Sequence, residues 1–211
     1  MPPHVDHKAP GDLADEELAC RAQAGSSACF EELVRRLEGR LLRFLLRRTR
    51  TPQDAEDLLQ ETFLRGYQRL GSYNPAWKIT TWLFTIASRL AISHGRKRRA
   101  VALPRAACVP AVGDDALTRL ARQEEKEALW ATAQSTLSEN QHTVLWLRYA
   151  EGMSVKEIAR VMGKTRTHVK VLLYRARSAL GRRLEQAEPT PASGVSERRS
   201  GDVPATVEGG G

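Results

Sequence analysis

The sequence predicts an all-α protein of two small helical domains, an N-terminal bundle and a C-terminal helix-turn-helix, joined by a flexible linker. Three observations predict it. Apolar residues recur at three- and four-residue steps between about Leu13 and Leu184, the mark of amphipathic helices. No segment alternates apolar and polar residues strictly, as a half-buried strand would. Residues 100–115, AVALPRAACVPAVGDD, carry two prolines, a glycine and no helical period, so they divide two periodic blocks.

The elements follow in order. Residues 1–12 are polar and bear proline and glycine, and are expected to be disordered. The first domain spans residues 13–99. In it Phe30, Leu33, Val34, Leu37, Leu41, Phe44 and Leu45 mark one long helix. Thr51-Pro52 breaks the pattern and starts the next helix, because proline suits a first helical turn and Asp54 and Glu56 complement its dipole. That helix runs to about Leu70, with Leu59, Phe63, Gly66 and Leu70 on its apolar face. Residues 71–75, GSYNP, form a turn, and TTWLFTIASRLAISHGRKRR is a further helix. After the linker, the second domain spans residues 116–184. Ser138 with Gln141 is a capping box that opens one of its helices. Residues 185–211, rich in Pro, Gly, Ser and Thr, read as a disordered tail.

The stretch from Ser154 to Leu180 is the most specific local pattern. Ser154 and Glu157 form a second capping box, and Val155, Ile158, Ala159 and Met162 make one apolar face. Gly163 supplies the stop, and Thr165 can cap a second helix. That helix buries Val169, Leu172, Leu173, Ala176 and Leu180. Outward it presents Arg166, Thr167, His168, Lys170, Tyr174, Arg175 and Arg177. One buried stripe opposite a cationic, polar face fits the major groove of DNA. The competing reading is a helical hairpin with a solvated basic face.

Composition narrows the partners. The 211 residues hold 33 Lys+Arg against 25 Asp+Glu, a net charge of +8, which favours polyanions. Cys20, Cys29 and Cys108 are scattered, with no CxxC pair and no histidine at ligand spacing, so neither a zinc site nor a disulfide framework is expected. The N-terminus lacks the apolar stretch of a signal peptide, and no run is long enough to span a membrane. A cytoplasmic protein with no membrane association is expected. There is no Gly-rich phosphate loop and no GxSxG, and His4, His7, His94, His142 and His168 have no evident partners. No enzyme, cofactor or metal is therefore expected.

Two other constellations are candidate surfaces. Asp54, Asp57 and Glu61, flanked by Glu56 and Gln60, form an acidic face that could dock a basic helix, or be solvated only. From Ser72 to Arg99, aromatic residues mingle with cations, a mixture that stacks bases and holds phosphates of single strands. Trp82 and Phe84 fit a core position there. Tyr73 and Trp77, in or beside the turn, are freer.

Taken together, three stretches resemble the extracytoplasmic-function sigma factors of bacterial RNA polymerase, a branch of the sigma-70 superfamily. FEELVRRLEGRLLRFLLRRTRTPQDAEDLLQETFLRGYQRL is similar to the first part of region 2. TTWLFTIASRLAISHGRKRR is similar to its promoter-melting, −10-reading part. LSENQHTVLWLRYAEGMSVKEIARVMGKTRTHVKVLLYRAR is similar to region 4. The resemblance covers roughly residues 15–184 and implies a function: binding core polymerase, recognising −10 and −35 promoter elements and directing transcription initiation. It implies that Asp54, Glu56, Asp57, Gln60 and Glu61 dock on the clamp helices of the largest polymerase subunit. Tyr73, Trp77, Lys78, Thr80 and Thr81 would meet the −10 strand, and Arg89, Arg96, Lys97, Arg98 and Arg99 its phosphates. Arg166, Thr167, His168, Lys170, Val171 and Tyr174 would face the −35 groove, with Arg175 and Arg177 on phosphates. Members of the family are often restrained by an anti-sigma factor.

The recognition helix departs from the family's usual Thr-Val-Lys-Ser-Arg-Leu order. Here it reads His168-Val-Lys-Val-Leu-Leu173, so Val171 offers a methyl surface to thymine where a hydroxyl is usual. Arg89 and Ser93 stand where an Asn and an Asp are common. The alternative function is a stand-alone helix-turn-helix regulator, which would bind an operator without polymerase, as a dimer on a palindrome.

Overall fold

The computed structural model describes residues 9–99 and 128–186. The expected linker, the first eight residues, residues 187–211, Cys108 and the side chains of residues 97–99 lie outside the described residues. Eight helices are described: α1 (Asp15–Gln23), α2 (Ser27–Leu46), α3 (Pro52–Gln68), α4 (Ile79–Arg99), α5 (described over residues 128–136), α6 (Glu139–Leu145), α7 (Val155–Met162) and α8 (Arg166–Glu185). No strand occurs among the described residues.

The helix ends lie where their capping chemistry puts them. Ser26, Thr51, Ser154 and Thr165 each accept a backbone N–H from the first turn of their helix, an interaction that typically stabilises by about 1 kcal/mol. Both expected capping boxes form, Ser138 with Gln141 and Ser154 with Glu157. Gly163 ends α7 with φ +62°, the left-handed conformation that turns the chain into α8. After α6 the chain widens into a π-helical turn, Trp146–Ala150.

α1 to α4 form the first bundle. Its core holds Leu18, Leu33, Leu37, Leu41, Phe44, Leu45, Ile79, Leu83 and Phe84, all nearly without exposure, with Phe44 and Phe84 packed edge to face at 5.2 Å. Arg36 secures the N-terminal segment on α2. Its guanidinium donates to the carbonyls of Leu13, Pro10 and Gly11 and to the carboxylates of Asp15 and Glu32.

One sequence expectation is corrected here. The buried stripe of α3 is Ala55, Leu58, Thr62 and Gly66; Leu59 and Phe63 are only partly covered. Adjacent leucines at 58 and 59 leave the phase of the face open by one residue. Thr62 can enter the core because its hydroxyl donates to the Leu58 carbonyl at 2.6 Å.

The helices after residue 127 build a second core from Val144, Leu147, Ile158, Val161, Val169, Leu173 and Ala176. This module packs directly on the first. Arg40 of α2 reaches Glu151 at 2.8 Å, and Glu151's side chain is only 3% exposed. Arg48 donates to the Thr143 hydroxyl at 2.9 Å. Arg47 lies 4.0 Å from the Trp146 ring centroid.

Candidate nucleic-acid interface

α8 presents its candidate residues as the sequence predicts. Val169, Leu172, Leu173 and Ala176 are buried, whereas Leu180, expected in the same stripe, is only partly covered. Arg166, Thr167, His168, Lys170, Val171, Tyr174, Arg175 and Arg177 are all exposed. Tyr174 is 70% exposed, unusual for a large ring without a partner surface. α7 packs behind α8, and Gly163 and Thr165 set the turn between them. The result is a helix-turn-helix whose second helix turns cations, hydroxyls and one apolar patch outward.

On α3, Glu56, Asp57 and Gln60 are exposed and Glu61 half-buried. Glu61 pairs with Arg65 one turn on, and Asp57 accepts from Gln53. Asp54 turns away from them towards α4, where its carboxylate lies 3.5 Å from Nε2 of His94. Leu64 and Tyr67, each more than half exposed, continue the same helix surface. Sequence reasoning missed these two. The pattern places large apolar residues in cores, and their exposure was legible only as a failure to match the buried phase.

The turn before α4 is held from a distance. Gln23 of α1 donates to the carbonyls of Leu70 and Tyr73 at 3.0 and 3.1 Å. Tyr73 corrects the sequence expectation that it is free: its ring is 3% exposed and packs on Trp82 at 5.6 Å, and its hydroxyl donates to the Trp77 carbonyl. Burial pushes its phenol up to about 12. Tyr73 therefore shapes the turn rather than stacking a base. Thr81 is buried as well, at 1%, and its hydroxyl lies 3.5 Å from Glu157. Lys78, Arg89 and Arg96 are exposed, and Thr80 is half-buried.

Trp77 is half-buried, but the second module covers it. The Arg160 guanidinium lies 3.5 Å from its ring centroid and the Lys156 ammonium 4.4 Å. Beside it Lys78 pairs with Glu157 at 3.4 Å. Burial works to raise the pKa of Glu157, but the hydrogen bonds of its capping box with Ser154 and the Lys78 charge outweigh it, and the carboxyl is held below its ordinary value. No three histidine, cysteine or carboxylate side chains among the described residues converge on a metal position. No described helix is long and apolar enough to cross a membrane.

The fold and this surface define an all-α protein that carries a helix-turn-helix with an exposed cationic helix face. Comparison with known proteins specifies the class further. The models for sigma-70 region 2 and sigma-70 region 4 match residues 33–101 and 129–180. The RNA polymerase sigma-H factor of Pseudomonas aeruginosa is 32% identical over 185 residues, 81% of this chain and 94% of that protein. The ECF RNA polymerase sigma factor SigM of Bacillus subtilis is 31% identical over 151 residues, 72% and 92% of the two chains. Among solved structures, CnrH in complex with the cytosolic domain of CnrY matches with TM-score 0.60 and 25% identity, covering 83% of this chain and all of that one. The sigma factor RpoE of Bartonella quintana, solved with the anti-sigma factor NepR, matches with TM-score 0.60 and 25% identity over 74% of this chain and 96% of that one. The chain belongs to the extracytoplasmic-function sigma factors of the sigma-70 family, and so is an RNA polymerase sigma factor that acts in transcription initiation.

Proposed function

We propose a division of labour among the surfaces of this sigma factor. The outward face of α8 reads the −35 element: Arg166, Thr167, His168, Lys170, Val171 and Tyr174 at base edges, Arg175 and Arg177 on phosphates. Trp77, Lys78 and Thr80 receive the unpaired −10 strand. Tyr73 and Thr81 support that site from beneath. Arg89 and Arg96 hold backbone phosphate, and residues 97–99 extend the same run. Glu56, Asp57, Gln60 and Glu61 dock on the clamp helices of the polymerase, with Asp54 at the margin.

The observation that carries this reading is the exposure of all eight candidate side chains of α8 opposite the buried Val169, Leu172, Leu173 and Ala176. The protein acts as a binding subunit in the cytoplasm, without catalysis or a cofactor of its own. Because CnrH and RpoE were solved with CnrY and NepR, an anti-sigma partner is proposed here also. Mixing the purified chain with sigma-free core polymerase tests the scheme. Co-elution and promoter-dependent transcription are expected. Tight duplex binding by the chain alone, with no co-elution, would point to a stand-alone regulator instead.

A further inference from the structure

We propose that a cationic cleft lined by the α2–α3 junction, α4 and α6 is a binding site for a small diphosphate anion, inorganic pyrophosphate or the diphosphate group of a small organic molecule.

The cleft encloses about 330 Å³, at the lower end of the range for small-molecule sites, roughly 300–1,000 Å³. Its described lining holds four arginines and a single carboxylate. Arg47, Arg48 and Arg50 come from the junction of α2 and α3, Arg96 from α4, and Glu139, beside Asn140, from α6. A concave wall so dominated by one sign concentrates anions. The planar guanidinium fork matches paired phosphate oxygens. No Phe, Tyr or Trp is among the described lining residues. The cleft therefore offers no platform on which a base would stack, and the recognised group is the phosphate itself.

Two of the guanidiniums are held in place. Arg47 lies 4.0 Å from the Trp146 ring centroid and 5.7 Å from that of Trp130. Arg48 is oriented by its hydrogen bond to the Thr143 hydroxyl, and its side chain is only 6% exposed. The Nε of Arg48 is buried with no hydrogen-bond partner. Its ion pair with Glu139 is long, 3.4 Å, and that carboxylate is itself half exposed. A cation buried with so little compensation is unfavourable. Burial accordingly pulls the Arg48 pKa below its ordinary value, more than the Glu139 charge restores. A diphosphate in the cleft supplies further counter-charge, and Glu139 is its competitor. Arg48 and Glu139, neighbours in one cleft, must then affect binding in opposite directions.

Isothermal titration of the full-length chain with inorganic pyrophosphate, at constant ionic strength, tests the site. Arg48→Gln and Glu139→Gln are compared with wild type and with Arg43→Gln, an exposed arginine of α2 outside the cleft. One saturable site per chain is expected. Affinity should fall about tenfold in Arg48→Gln, the loss of a charged hydrogen bond, rise several-fold in Glu139→Gln and stay unchanged in Arg43→Gln. Glu139→Gln leaves the Ser138–Gln141 capping box in place, so this arm decides even if Arg48→Gln fails to fold. ADP, titrated alongside, separates the two sources: tighter binding than pyrophosphate assigns the organic diphosphate, weaker binding the inorganic one. No saturable binding by wild type would overturn the proposal. So would a Glu139→Gln affinity no higher than wild type, or an equal loss in Arg43→Gln, the mark of general charge attraction. Displacement of bound pyrophosphate by a stoichiometric single-stranded oligonucleotide would overturn it too, because the cleft would then belong to the path of DNA.

Discussion

Gly66 of α3 and Leu83 of α4 approach so closely that a Cβ on Gly66 would lie 2.9 Å from Cδ2 of Leu83. Leu83 is only 1% exposed, and Trp82 lies 3.9 Å from the same Cβ position. The leucine therefore has little room to yield. Gly66→Ala should destabilise the first bundle by about 1–2 kcal/mol, the overpacking cost less the gain in helix propensity. A thermal melt would register it as a lower Tm. An unchanged or higher Tm would mean that Leu83 swings away freely.

Gly163 presents the opposite case. Nothing lies within 4 Å of a Cβ there, but φ is +62°. Gly163→Ala should cost about 1 kcal/mol from backbone strain alone. Gly163→Asn should cost less, because asparagine tolerates the left-handed region. Denaturant titration of the two variants measures the difference; equal stabilities would contradict it.

Asp57 is exposed near the middle of the α3 acidic face. Asp57→Arg reverses its charge without touching the core. Affinity for core polymerase should fall at least about tenfold, roughly 1.4 kcal/mol, with the melting temperature preserved. Retained affinity would remove α3 from the docking surface.

Lys170→Ala should leave polymerase binding intact and reduce use of −35-dependent promoters by about tenfold, within the range of a lost base contact. Arg175→Ala should instead weaken binding to all promoters alike and lower the slope of log K against log salt by about one. In vitro transcription on promoters with and without a −35 element separates the two patterns. Unchanged −35-dependent transcription by Lys170→Ala would misplace the recognition helix.

Glu32 is held at about 2 by hydrogen bonds from Arg35 and then Arg36. Its folded-state pKa is depressed, so its contribution is complete above the ordinary carboxylate value of 4.5 and is lost as pH falls towards 2. Glu32→Gln should therefore flatten the acid side of the stability profile between about pH 4.5 and 2, and leave its shape near neutrality unchanged. Parallel acid limbs in wild type and variant would exclude the pair as a source of that dependence.

Much of the local structure was legible because its causes are local. Ser154 and Glu157 are three residues apart, and a capping box needs only that spacing. The same holds for Thr51 with Pro52, and for Gly163. Periodicity located the buried stripe of α8 and thereby its outward face. It was less decisive where apolar residues adjoin. Leu58 and Leu59 satisfy the helical pattern equally, and only the approach of α4 at Gly66 selects Leu58. Tyr73 sits in a turn, a position that reads as exposed; Gln23, from a helix far back in the chain, holds its carbonyl, and Trp82 on the next helix packs on its ring.

By itself, then, the sequence determined the helices, their caps, the cationic face of α8, the acidic face of α3 and the family to which these belong. Each depends on side chains within a turn or two of one another. Tertiary structure alone decided which candidate surfaces are open. Arg40 and Glu151 are separated by 111 residues, and nothing in either local pattern names the other. Nor does the turn carrying Trp77 indicate that Arg160 will lie on its ring. Such pairs form when two independently patterned modules meet, and their contacts depend on shape and charge across the boundary rather than on periodicity along the chain.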